Sequence, residues 1–120
     1  IQLFREMKTE AEIDYPRPDR LVSGNPQRTT WNHFTNASGE VFMGVWTCEV
    51  GSWRIEMGVD EDEYFYVIEG SGAIIETNGA RREFTVVDAV IIPAGFKGTF
   101  EVTAPLKKHY VIIDRQAQFA

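Results

Sequence analysis

Four consecutive acids, Asp60, Glu61, Asp62 and Glu63, stand directly ahead of the apolar run 64–68. Carboxylates at that density can form a solvated turn, ligate a hard cation, or place one acid at a pocket rim for proton transfer. The spacing excludes an EF-hand. Counted from Asp60, the sixth position should be glycine and is Phe65, and the twelfth should be glutamate and is Ser71. Asp60, Glu61 and Asp62 therefore read as a solvated acidic turn. Glu63 begins the strand-like run and is the one carboxylate placed to turn inward. In the final alternating run, 107–114, Lys108, Tyr110 and Ile112 share one face, and Lys107, His109 and Val111 the other. Other reactive types mark no site. His33 and His109 read as surface or structural histidines, and no serine stands in a Gly-x-Ser-x-Gly elbow. Cys48 reads as a small buried hydrophobe. Gly70-Ser71-Gly72 lacks the lysine and further glycines of a phosphate loop and reads as a turn.

The elements that must position these groups are strands. At 120 residues with 43% hydrophobic content, the chain fits one domain with one core. Residues 41–50 are followed by a turn at Gly51-Ser52 and then by Trp53, Ile55, Met57 and Val59, which alternate with Arg54 and Glu56. Asn78-Gly79 predicts a hairpin with a two-residue primed turn. About eight short strands with frequent turns predict a β-sandwich or small barrel. Residues 1–38, with Pro16, Pro18 and Pro26, predict an extended, irregular arm with a helical turn near its start. The net charge of −6 and pI near 4.9 argue against nucleic acid and anionic membranes as partners. No run approaches the roughly 18 apolar residues of a membrane helix. A single cysteine and no secretory leader pattern give an expected cytoplasmic location.

Four stretches in order resemble the cupins. Residues 63–70 hold a glutamate, six residues and a glycine, as in the first cupin motif. Residues 87–98 resemble the second, with Val87 in place of its glycine, Asp88 kept, and Pro93, Ala94 and Gly95 matching. Together with 44–53 and 107–113 they are similar to the small cupins related to ethanolamine-utilization protein Q and to the cupin domains of ureidoglycine aminohydrolase. The resemblance implies an all-β, double-stranded β-helix (a jelly-roll barrel) over 39–120 behind the 1–38 arm. The metal-binding cupins carry histidines at places that fall here on Met57, Val59 and Gly98, so only Glu63 keeps a ligand's chemistry. The expectation is a pocket with no metal and no other cofactor.

If Glu63 faces the barrel interior, the two-residue period sends Phe65 and Val67 inward, and Tyr64 and Tyr66 outward. The same interior face takes Trp53, Ile55, Met57 and Val59 from the preceding strand, and Gly98 and Phe100 from the second motif. These residues and Trp46 either line an organic-ligand pocket or simply fill the core. Trp31 and Trp46 match tryptophans at the start of the family's core, at the pocket wall or a dimer interface. The resemblance also implies a Lys-x-Tyr that directs Lys108 and Tyr110 at the pocket, with Lys108 as the partner an inward Glu63 needs. On the alternative, both lysines are ordinary surface charges. Three functions fit: a metal-independent binder or enzyme using Glu63, Lys108 and Tyr110 on a small polar metabolite; a non-catalytic sensing or accessory domain; or a metalloenzyme with substitute ligands. The long arm and the strand edges of an open sandwich predict a homodimer.

Overall fold

A computed structural model describes residues 1–115. It contains nine strands among those residues: β1 (Glu12–Asp14), β2 (Leu21–Ser23), β3 (Arg28–Thr35), β4 (Val41–Cys48), β5 (Gly51–Glu56), β6 (Glu61–Glu76), β7 (Arg81–Thr85), β8 (Ala89–Ile92) and β9 (Lys97–Asp114). Short 3₁₀ turns at Phe4–Glu6 and Pro18–Arg20 are the only helical pieces among the described residues, and none can cross a membrane. The strands form one curled, all-antiparallel sheet. Its path runs β1-β3-β4-β9-β5-β2, and β6 bridges β9, β7 and β8. This is the jelly-roll of the cupin fold.

Two strands organise the rest. β9 pairs with β4 through its second half and with β5 through its first, and β6 runs antiparallel along nearly all of it. The sequence suggested a turn at Gly70-Ser71-Gly72 and a separate last run over 107–114. Instead both strands continue through a bend with register shifts between Val67 and Gly72. The bend needs glycine. Gly70 has φ +84°, and a Cβ there would lie 2.1 Å from the Pro105 carbonyl oxygen. The β6–β7 hairpin also departs from expectation. Its loop is Thr77, Asn78 and Gly79, closed by the Glu76 N–H on the Ala80 carbonyl, with only Gly79 at positive φ. It is a three-residue loop rather than a primed two-residue turn.

Residues 1–38 are less irregular than their prolines suggest. β1 covers the outer edge of β3, β2 covers the edge of β5, and β3 is a full sheet member paired to β4. The segment between β1 and β2 crosses from one edge of the sheet to the other, with Pro16 buried on the way. The prolines fall between strands, where no ladder hydrogen bond is lost.

The inward side chains make one core around Phe65, Val67, Phe84, Phe100, Val102 and Leu106, with Trp53 stacked on Phe100 at 5.3 Å between ring centroids. Tyr64 and Tyr66 point outward and are exposed, as the alternation requires.

Candidate functional site

The registers stack the inward residues in rows across the sheet. One row holds Glu12, Thr30, Trp46, Lys108 and Val67, on β1, β3, β4, β9 and β6. The next holds Asn32, Gly44, Tyr110 and Phe65, and the one beyond it Phe42, Ile112, Glu63 and Ile92. The curl of the sheet closes these rows around a cavity of about 510 Å³. Its walls include Trp46, Trp53, Ile55, Met57 and Phe100, with Glu63, Lys108 and Tyr110 exposed to it.

Glu63 and Lys108 meet. Nζ donates to Glu63 Oε2 at 2.7 Å, and the two side chains are 6% and 15% exposed for lysine and glutamate respectively. The ammonium also lies over three ring faces, 4.1 Å from the Phe65 centroid, 4.5 Å from Trp46 and 5.1 Å from Phe100. Each of those faces attracts a desolvated cation. Tyr110 sits in the neighbouring row and its hydroxyl donates to Asn32 Oδ1 at 2.7 Å. Gly44 makes that reach possible, because a Cβ there would fall 2.7 Å from the Tyr110 oxygen and 2.0 Å from the Trp31 carbonyl. Burial, then the charges of Glu63 and Glu12, push the Tyr110 phenol up to about 12. It therefore stays a neutral donor at any ordinary pH.

Three expected lining residues are elsewhere. Val59 is 80% exposed, because β5 ends at Glu56 and the chain turns through Gly58, whose carbonyl accepts from the Glu61 and Gly95 N–H groups. The two-residue period on which its placement rested stops before it. Gly98 does not open the cavity. A Cβ there would meet the Ile75 carbonyl at 2.4 Å and the Phe96 ring at 2.8 Å, so its missing side chain accommodates close strand packing. Phe65 is fully buried and floors the ammonium rather than lining the void. The acid turn is also more structured than a solvated run. Asp62 accepts from the Ala94 N–H and from Arg115, each at 2.8 Å, which hold its carboxyl below the usual range, the arginine bond most strongly. Glu61 accepts from the Gly58 N–H.

What sequence reasoning missed is the contribution of β1 and β3: Glu12, Arg28, Thr30 and Asn32 all line the cavity. Arg28 holds Asp14 through two hydrogen bonds of 2.9 and 2.7 Å and lies 5.3 Å from the Trp53 centroid. The run 28–35 gave no period-two signal, because it is mostly polar and its apolar Trp31 and Phe34 fall on opposite parities across a register shift. His109 and Lys107 project from the other sheet face, where Phe4 lies against both His33 and His109. Burial lowers the pKa of His109, with smaller contributions from Lys107 and His33.

The sequence matches the EutQ-like cupin domain over residues 35–110. The chain belongs to the EutQ-like cupin family. Among solved structures it is similar to the EutQ protein of Clostridium difficile, at 24% identity and TM-score 0.65 over 77% of this chain and 66% of that one. A protein of unknown function from Pseudomonas syringae pv. tomato matches at 22% identity and TM-score 0.76, over 90% of this chain and 45% of that one. Ectoine synthase from P. lautus matches at 15% identity and TM-score 0.63, over 72% and 64%. The chain spans about two thirds of the length of the first of these and less than half of the second, and at these identities the likeness is one of fold. No curated protein matches the sequence.

A metal of the kind many cupins hold does not fit this donor set. Among the described residues no three His, Cys, Asp or Glu side chains converge. Of the three slots, Met57 offers a thioether at the cavity wall, Val59 points to solvent, and Gly98 is packed against backbone. The carboxylate at the fourth, Glu63, already neutralises an ammonium. A divalent cation beside Lys108 would meet like charge and too few donors.

Proposed function

We propose that this EutQ-like cupin binds a small polar metabolite in the barrel cavity without a metal, with Glu63, Lys108 and Tyr110 as its polar anchors. The observation that carries this reading is the nearly buried Glu63–Lys108 pair facing a cavity of about 510 Å³ with largely apolar and aromatic walls. Apolar walls with few convergent polar groups are what small-ligand sites have in common. A buried ion pair is poor value as a stabilising device, since apolar residues of similar volume often do as well. In a pocket, however, it offers a fixed donor and a fixed acceptor. Lys108 can donate to a ligand oxygen, Glu63 Oε1 can accept a proton or hydrogen bond, and the neutral Tyr110 phenol lies within the same row system. That set suffices for acid–base chemistry and equally for binding without turnover, as in a sensing or accessory domain.

Native mass spectrometry of the purified full chain tests the reading. A retained small molecule, lost in Glu63→Gln and in Lys108→Met, is the expected result. Near one equivalent of Mn, Fe, Ni, Cu or Zn after dialysis, released by Glu63→Gln, would overturn it. We further propose a cytoplasmic homodimer. Ile91, Tyr64 and Val111 lie side by side across β8, β6 and β9 on the outward face, with Ile91 72% and Tyr64 43% exposed. A second copy is a suitable cover for that row. A monomer by light scattering at micromolar concentration would end the proposal.

A further inference from the structure

The charges around the cavity are unevenly satisfied. Two cations line it, and both are taken. Lys108 is paired to Glu63, and Arg28 is held by both oxygens of Asp14. The aromatic faces are taken as well. Trp46 and Phe100 lie under the Lys108 ammonium, and Trp53 lies under the Arg28 guanidinium. Two acids line the cavity, and only Glu63 has a cation. Glu12, an exposed residue of β1, borders the void at its rim, and its carboxylate makes no hydrogen bond or ion pair among the described residues. It stands in the same row as Thr30, Trp46 and Lys108, three strands from the lysine. After burial and the charge of Glu63, its charge is the smallest of the causes that raise the Tyr110 phenol.

An entering anion would find no unpaired cation and would face the Glu12 carboxylate. An entering quaternary or primary ammonium would find the aromatic faces already occupied by the protein's own cations, leaving Glu12 as its partner. We propose, resting on the ligand-binding reading above, that Glu12 is a specificity residue supplied by the N-terminal strand, and that it selects small ligands carrying an amine cation over neutral and anionic ones of the same size. The ammonium sits at the rim against Glu12, while the rest of the ligand lies along the Trp46–Trp53 wall toward the Glu63–Lys108 pair. That deep pair is neutral overall, so it favours an uncharged hydrogen-bonding group over a second charge. The chain's net charge of −6 adds a field that draws cations to the mouth.

Three probes of equal length separate the possibilities: propylamine, propionamide and propionate, titrated into the full chain while the indole N–H resonances of Trp46 and Trp53 are followed by NMR. Fragments this small bind in the millimolar range, which the method reads directly. Propylamine is expected to bind about fivefold more tightly than propionamide, the limit for an exposed ion pair, and propionate more weakly than either. Glu12→Gln should bring the amine and amide to equal affinity while Glu12→Asp retains the preference, and neither should shift the midpoint of urea unfolding. Equal affinity for all three probes in the unaltered protein, or an amine preference that survives Glu12→Gln, overturns the role of Glu12 but leaves the cavity as a binding site. Failure of every probe to move either indole resonance overturns both readings.

Discussion

Replacing Glu63 by glutamine removes one charge from the nearly buried pair and keeps an acceptor for the Lys108 N–H. The structure sets the size of the effect. Breaking a buried ion pair by removing one partner costs about 3–5 kcal/mol. Two features reduce that here. Glu63 borders a cavity, so water reaches the site, and three ring faces continue to attract the ammonium. We expect Glu63→Gln to cost about 2–3 kcal/mol and Lys108→Met, which refills the space among the rings with an apolar chain, about 1–2 kcal/mol. The double variant should cost less than the sum by at least about 1 kcal/mol, because each single change strands a charge that the second removes. Urea unfolding at neutral pH reads this directly. With a slope of about 1.5 kcal/mol/M for a chain of this size, the Glu63→Gln midpoint should fall by about 1.3–2 M. Additivity within about 0.5 kcal/mol would show that the 2.7 Å contact carries no coupling, and acid–base chemistry built on the pair would have to be dropped.

Val87 has φ +70° and is 68% exposed, at the position where the second cupin motif carries glycine. Val87→Gly should therefore raise stability, by about 0.5–1 kcal/mol once the glycine's extra chain entropy is subtracted, and an unchanged or lower urea midpoint would contradict the strain argument. The Tyr110 phenol, pushed up to about 12, is protonated in the fold at pH values where the unfolded chain has ionised. Its contribution is complete below about pH 10 and is lost as pH rises from there toward 12, so Tyr110→Phe should flatten that alkaline loss in a series of unfolding midpoints. Burial pushes the Cys48 thiol up to about 12, and the side chain is 4% exposed, so a thiol reagent should label the native chain at least about 10³-fold more slowly than the urea-unfolded one; comparable rates would mean the β4–β9 pairing at Cys48 and Leu106 opens readily. Asp62→Asn should lower stability near neutral pH and remove part of the loss on acidification, because a carboxyl held below its usual range contributes above that range and not below it. Glu61→Gln, by contrast, should change stability by no more than about 0.5 kcal/mol.

The strand content, the inward face of β6 and the cupin motifs were all legible in the sequence, because each rests on local information. A period of two residues sends Phe65 and Val67 one way and Tyr64 and Tyr66 the other, whatever the rest of the chain does. The same rule carried Trp53, Ile55 and Met57 to the cavity wall and failed at Val59, where the strand had already ended. The closeness of Lys108 to Glu63, 45 positions apart, depended on the family's pattern rather than on any local property. Alternation alone allowed either face of β9 to point inward. Only the tertiary structure decided three things. Gly98 closes a strand contact instead of opening a pocket, because its neighbours in space are Ile75 and Phe96, far apart along the chain from each other. Gly44 leaves room for the Tyr110 hydroxyl to reach Asn32 across two strand pairings. Glu12 and Arg28, from a segment whose prolines suggested irregular chain, line the same cavity as Lys108 because β1 and β3 add to the edge of β4. Strand order and register join residues distant in sequence, and composition and periodicity carry no information about which strand lies beside which.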